Sequence, residues 1–204
     1  MTDRETKNLV AEAKDHLVEA IRGMGDITGA LADAVSNTVV HTLKGTRAVG
    51  GELLGLVVHT VSGAVHGVAE VGGEVGSAAQ SIMVGTIRGT RMVGTTSVET
   101  VAMTASALVK GAADVGGNVA DTAKGAVKGA IASARDLGVS TEDAAAAAAS
   151  GALQAAGDIG TTAVSEVRNV LTKSIDGVKV VLKEPFMPSR STRNHATDHR
   201  APRS

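Results

Sequence analysis

The stretch TLKGTRAVG at 42–50 returns as TIRGTRMVG at 86–94, and AEVGGEV at 69–75 returns as ADVGGNV at 113–119. Both offsets are 44 residues. The same offset joins Asp114-Val115-Gly116 to Asp158-Ile159-Gly160, and Glu70-Val71-Gly72 back to Asp26-Ile27-Thr28. Half that spacing also holds. Ile27, Val49, Val71, Val93, Val115, Leu137 and Ile159 fall every 22 residues, followed by Thr28 and then by Gly50, Gly72, Gly94, Gly116, Gly138 and Gly160. A second ladder runs through Gly23, Gly45, Gly67, Gly89 and Gly111. Loops drift by insertion, so a register kept this strictly implies repeated regular structure.

Halving again gives 11. Ile21, Leu43, Leu54, Val65, Ile87, Val98, Val109, Ile131, Leu153 and Val164 lie on one 11-spaced set, and the next position is mostly polar. Eleven residues make three turns at about 3.67 residues per turn, close to the α-helical value. On that wheel the apolar positions, with both glycine ladders among them, fill about half the circumference and the charged positions the rest. Strand alternation is absent. The expectation is an all-α chain of long amphipathic helices, continuous or kinked. Up-down helical hairpins breaking at the glycine sites are the alternative. Cap-like pairs that would start new helices are Thr96 with Glu99, Asn118 with Asp121, and Ser140 with Asp143.

An 11-residue amphipathic repeat with small residues, Thr, Lys and Gly, as in GNVADTAKGAVKGAI at 117–131, resembles the repeats of perilipins, synucleins, exchangeable apolipoproteins and late-embryogenesis-abundant proteins. The likeness spans most of residues 10–182. It implies lipid-surface binding or desiccation protection, with no catalytic residues to carry over. The chain is less hydrophilic than late-embryogenesis-abundant proteins and lacks the proline that punctuates apolipoprotein repeats.

Composition narrows the function classes. There is no Trp, Tyr or Cys, one Phe and 25 Gly, so a core must be aliphatic and its helices close together. Lys+Arg is 20 against 21 Asp+Glu, with no basic excess or stacking aromatics for nucleic acid. Without Cys there are no disulfides and no thiolate metal sites. The polar start MTDRETKNLVAEAKDH is not a signal peptide, and the longest uncharged run, between Glu52 and Glu70, falls just short of a membrane span. The expected location is cytoplasmic, peripheral to a membrane or lipid surface. Residues 1–183 form the repeat region. Residues 184–204 read as a disordered basic tail holding all three prolines.

Chemistry is sparse. His59, His66 and Glu70 share the polar side of the wheel, and His195 and His199 lie i, i+4 in the tail. Solvated positions are the simpler reading of both sets, so no metal site is expected. Neither GxxxxGK[ST] nor a strand-linked GxGxxG occurs. The alanine run TEDAAAAAAS at 141–150 reads as helix propensity. No enzyme, cofactor or small-molecule substrate is expected. An apolar stripe this long must be covered. The expected partners are a lipid surface, copies of the chain, or both. The apolar set listed above would supply the lipid or packing face. The two glycine ladders would allow backbones to approach. The leading expectation is a non-enzymatic protein coating a lipid surface. The alternatives are a self-assembling helical scaffold and a desiccation protectant.

Overall fold

The computed structural model describes residues 27–44 and 51–180. They form eight helices: α1 Ile27–Lys44, α2 Gly51–Glu70, α3 Val75–Met92, α4 Val98–Asp114, α5 Val119–Ala132, α6 Ala134–Leu137, α7 Thr141–Ile159 and α8 Thr161–Leu171. Among the described residues there is no strand, only an isolated bridge between Ile175 and Val178. The all-α expectation holds.

The long continuous helix does not. The longest described helix has 20 residues, and helices stop on the 22-residue glycine ladder. Gly72, Gly94, Gly116 and Gly138 have φ of 74°, 74°, 72° and 69°. This left-handed conformation admits glycine without the Cβ clash that other residues incur. At Gly116 the ending is a Schellman motif. The Gly117 amide donates to the Ala112 carbonyl at 2.7 Å and the Gly116 amide to Ala113 at 3.1 Å. The same pair of bonds closes α2 at Val68 and Ala69, α3 at Thr90 and Arg91, and α6 at Ala134 and Arg135. The valine or leucine before each glycine is thus a helix-end residue, which is why Val71, Val93, Val115 and Leu137 are half-buried.

New helices start where capping side chains stand. Asn118 Oδ1 accepts from the Ala120 and Asp121 amides, and Ser140 Oγ accepts from the Asp143 amide. For α4 the cap is Ser97, accepting from the Thr100 amide, and not the expected Thr96. A shift by one residue lets the hydroxyl that follows Thr96 meet the first turn.

Leaving aside the four-residue α6, each helix packs on the helix two places along the chain. One layer holds α1, α3, α5 and α8. The other holds α2, α4 and α7. The 44-residue repeat is therefore one hairpin, and stacking hairpins buries what a single hairpin would leave wet. Contacts run in ascending order on both partners, Gly85 with Ala32 and Gly89 with Ser36, so layer neighbours are parallel and successive helices antiparallel. The core is aliphatic: Val35, Val61, Val65, Ile82, Ile87, Val101, Leu108, Val127 and most alanines of α7 are buried. Buried Thr60, Thr86, Thr90, Thr104 and Thr122 donate their hydroxyls to the carbonyl four residues back, which satisfies them inside the seam.

Candidate functional site

The glycines divide into two kinds. Gly72, Gly94, Gly116, Gly138 and Gly160, expected at close helix contacts, have nothing within 4 Å of the position a Cβ would take. They serve the turns. Gly160, with φ 148°, separates α7 from α8 by a single residue. Gly89 and Gly111 do sit at close contacts: a methyl group on Gly89 would lie 2.9 Å from Ser36 O, and one on Gly111 3.2 Å from Val65 Cγ1. Gly67 is buried in α2. Gly23, Gly45 and Gly50 lie outside the described residues, as do Ile21 and Val49.

Five further close-packing glycines were not anticipated. Gly85 meets the Ala32 carbonyl, Gly125 the Gly76 carbonyl, Gly151 the Ala102 carbonyl, Gly129 the Gln80 carbonyl at 2.7 Å, and Gly76 the Asp121 Cβ at 2.9 Å. A signal was present: Gly85/Gly89 and Gly125/Gly129 are both G-x-x-x-G pairs, which place two glycines on one helix face.

The apolar set is mostly internal. Val65, Ile87 and Val109 are fully buried, and Leu43 and Leu153 nearly so. Leu54, Ile131 and Val164 are half-buried. Ile27 opens α1. Val98 and Ile159 are exposed, 42% each, because both stand at helix ends outside the stacked faces. Met92 is exposed at 65%.

The polar surface carries ion pairs, two of which span neighbouring helices of one layer. Lys110 Nζ meets Asp158 Oδ2 at 2.6 Å across α4 and α7, and Arg88 Nη1 meets Asp33 Oδ1 at 3.1 Å across α3 and α1. Arg91 Nη1 reaches Asp136 at 2.6 Å, and Lys128 reaches Asp176 at 3.5 Å. Exposed pairs of this kind contribute about 0–1 kcal/mol each, so they set register more than stability.

A surface groove of about 610 Å³ is lined by Asp33, Ser36, Asn37, Arg88, Arg91, Met92 and Asp136. Its two guanidinium groups already face two carboxylates, which leaves its charges balanced. A second hollow of about 410 Å³ lies between α2 and the start of α4, among Leu53, Leu54, Val57, Thr90, Thr95, Ser97, Glu99 and Thr100. Neither brings a nucleophile to a base.

His59 and His66 are half-buried on α2, and His66 Nδ1 lies 3.0 Å from the Ser62 carbonyl, a bond it makes as donor. Among the described residues no three His, Cys, Asp or Glu gather as a metal site. His195 and His199 lie outside the described residues. Among them too, one helix stretch, Glu52–Glu70, is long and apolar enough to cross a membrane, with mean hydropathy 1.3 and half of it buried. No protein-family model matches the chain, and no curated protein matches it significantly.

Proposed function

We propose that this chain is a non-enzymatic structural protein, a stack of helical hairpins that serves as a scaffold and associates with copies of itself. The observation that carries the reading is the seam chemistry. In both layers, aliphatic side chains and glycine-to-backbone contacts fill the space between helices. Such seams make a stiff, nearly one-dimensional body. The apolar side chains left outside, Met92, Val98 and Ile159, give copies a place to meet.

The test is mass by light scattering across protein concentration, without lipid. Reversible growth of the mass with concentration supports the scaffold. A strict monomer at every concentration overturns self-association.

A second reading, peripheral binding to a lipid surface, is favoured by the apolar stretch Glu52–Glu70. Because Val65, Ile87 and Val109 are buried, lipid binding through the full stripe requires the hairpins to open. Flotation with anionic vesicles, read together with circular dichroism, separates the readings. The lipid reading requires co-flotation.

A further inference from the structure

The helices α2, α3, α4 and α6 end on left-handed glycines, and the links that follow span 71–74, 93–97, 115–118 and 138–140. The junction of α7 with α8 is built differently. Gly160 alone separates the two helices, with φ 148° and ψ 173°. Its amide still donates to the Ala156 carbonyl at 2.9 Å, and the Val164 amide donates to the Gly160 carbonyl at 3.1 Å. Both are bonds of an uninterrupted α-helix. Turning the backbone at Gly160 is therefore enough to convert the bend into one straight helix over 141–171.

The sequence suits that straight helix. Ala145, Ala149, Ala152 and Ala156 of α7 and Ala163, Val167 and Leu171 of α8 are all buried. At about 3.6 residues per turn they share one stripe roughly 100° wide. In the bent form α8 rests on both α5 and α7. Beyond its end, Asp176 meets Lys128 of α5 at 3.5 Å. Its other side, with Ser165, Glu166, Arg168 and Asn169, is exposed and polar. The seat on α5 and α7 is thus matched to α8, and α8 of a second copy carries the same residues.

We propose that two copies of the chain exchange α8 through Gly160. In each copy α7 and α8 become one helix, and α8 leaves its own seat for the seat on the partner subunit. The exchange is reciprocal, so it closes as a symmetric dimer. The seat contacts are kept, with Lys128 now facing Asp176 of the partner subunit. A one-residue hinge favours exchange because the bend has no slack. The bent form also holds Gly160 at a φ that glycine alone adopts readily. This deepens the self-association reading and rests on it.

Mixed isotopes test the exchange in the unmodified sequence. Equal amounts of light and heavy-isotope chains are unfolded, refolded together at high concentration, and the dimer is isolated. A carbodiimide then joins a contacting ammonium and carboxylate as an amide, with loss of water. Random reciprocal exchange predicts that about half of the Lys128–Asp176 linked peptides pair one light with one heavy chain. Links confined to one isotope would overturn the exchange and leave self-association standing. A chain that stays monomeric at every concentration would overturn both.

Gly160→Ala gives a second measure. Alanine is strained at φ 148° and well suited to a straight helix. The variant is expected to dimerise at a concentration about tenfold lower. Inserting Ser-Gly-Ser after Gly160 gives the bend slack and is expected to return the chain to monomer. An unchanged dimerisation midpoint in either variant would overturn the proposal.

Discussion

Gly151 of α7 lies directly against the carbonyl of Ala102 on α4, so near that a methyl group on Gly151 would overlap the Ala102 backbone. Backbone cannot swing aside as a flexible side chain can. Gly157, six residues along the same helix, has nothing within 4 Å. The two residues therefore respond oppositely to the same change. Gly151→Ala is expected to destabilise the fold by about 2 kcal/mol or more through overpacking. Gly157→Ala is expected to stabilise it by about 0.5 kcal/mol, the ordinary gain of alanine over glycine in a helix. Chemical denaturation of both variants reads the signs. Matching signs would mean that α7 does not rest on α4 in this way.

Gly116 tests the turns. Its φ of 72° suits glycine and tolerates asparagine. Gly116→Ala should lower stability by about 1 kcal/mol, and Gly116→Asn by less. Thermal melts that rank the two variants the other way would contradict a left-handed ending for α4.

Asn118 starts the next helix by accepting two amides, both at 3.0 Å. Asn118→Ala should cost about 1 kcal/mol, and Asn118→Ser should recover most of it. Equilibrium unfolding in urea measures both.

Ser81 is 3% exposed, and its hydroxyl has no hydrogen-bond partner. Removing an unsatisfied buried hydroxyl relieves its desolvation penalty. Ser81→Ala should therefore raise stability by about 1 kcal/mol. A lower denaturation midpoint would show that the hydroxyl has a partner in solution.

Much of this architecture was legible in the residues. The helical class followed from the apolar periodicity, and the 44-residue hairpin stands in plain view as TLKGTRAVG and TIRGTRMVG. Asn118 and Ser140 announce their helix starts. The choice between one long helix and many short ones was not legible from phase. Twenty-two is twice eleven, so a short helix repeated every 22 residues keeps the same 11-residue face as a continuous one. The two glycine ladders were also inseparable on the wheel, since both fall in the apolar half. Only three-dimensional neighbours tell Gly116, open to solvent at a turn, from Gly111, seated on Val65. Gly151 was missed because its partner, Ala102, lies 49 residues away and contributes a carbonyl, which every residue possesses.

The hairpins stack so that each helix, the four-residue α6 left aside, meets the helix two places away, and two deletions test this most directly. Removing 75–118 takes out 44 residues, one whole hairpin, and α5 then occupies the place of α3 in its own layer. Removing 97–118 takes out 22 residues, keeps the apolar face in phase, and moves α5 and everything after it into the opposite layer. α7 then faces α3, a helix of the other layer, whereas the 44-residue deletion seats it on α2, a helix of its own layer. Thermal unfolding followed by circular dichroism compares them. The 44-residue deletion should keep a cooperative transition and the helical signal per residue, and the 22-residue deletion should lose cooperativity. Equal cooperativity in both would mean that only the phase of the apolar face matters, and would contradict the stacked-hairpin structure.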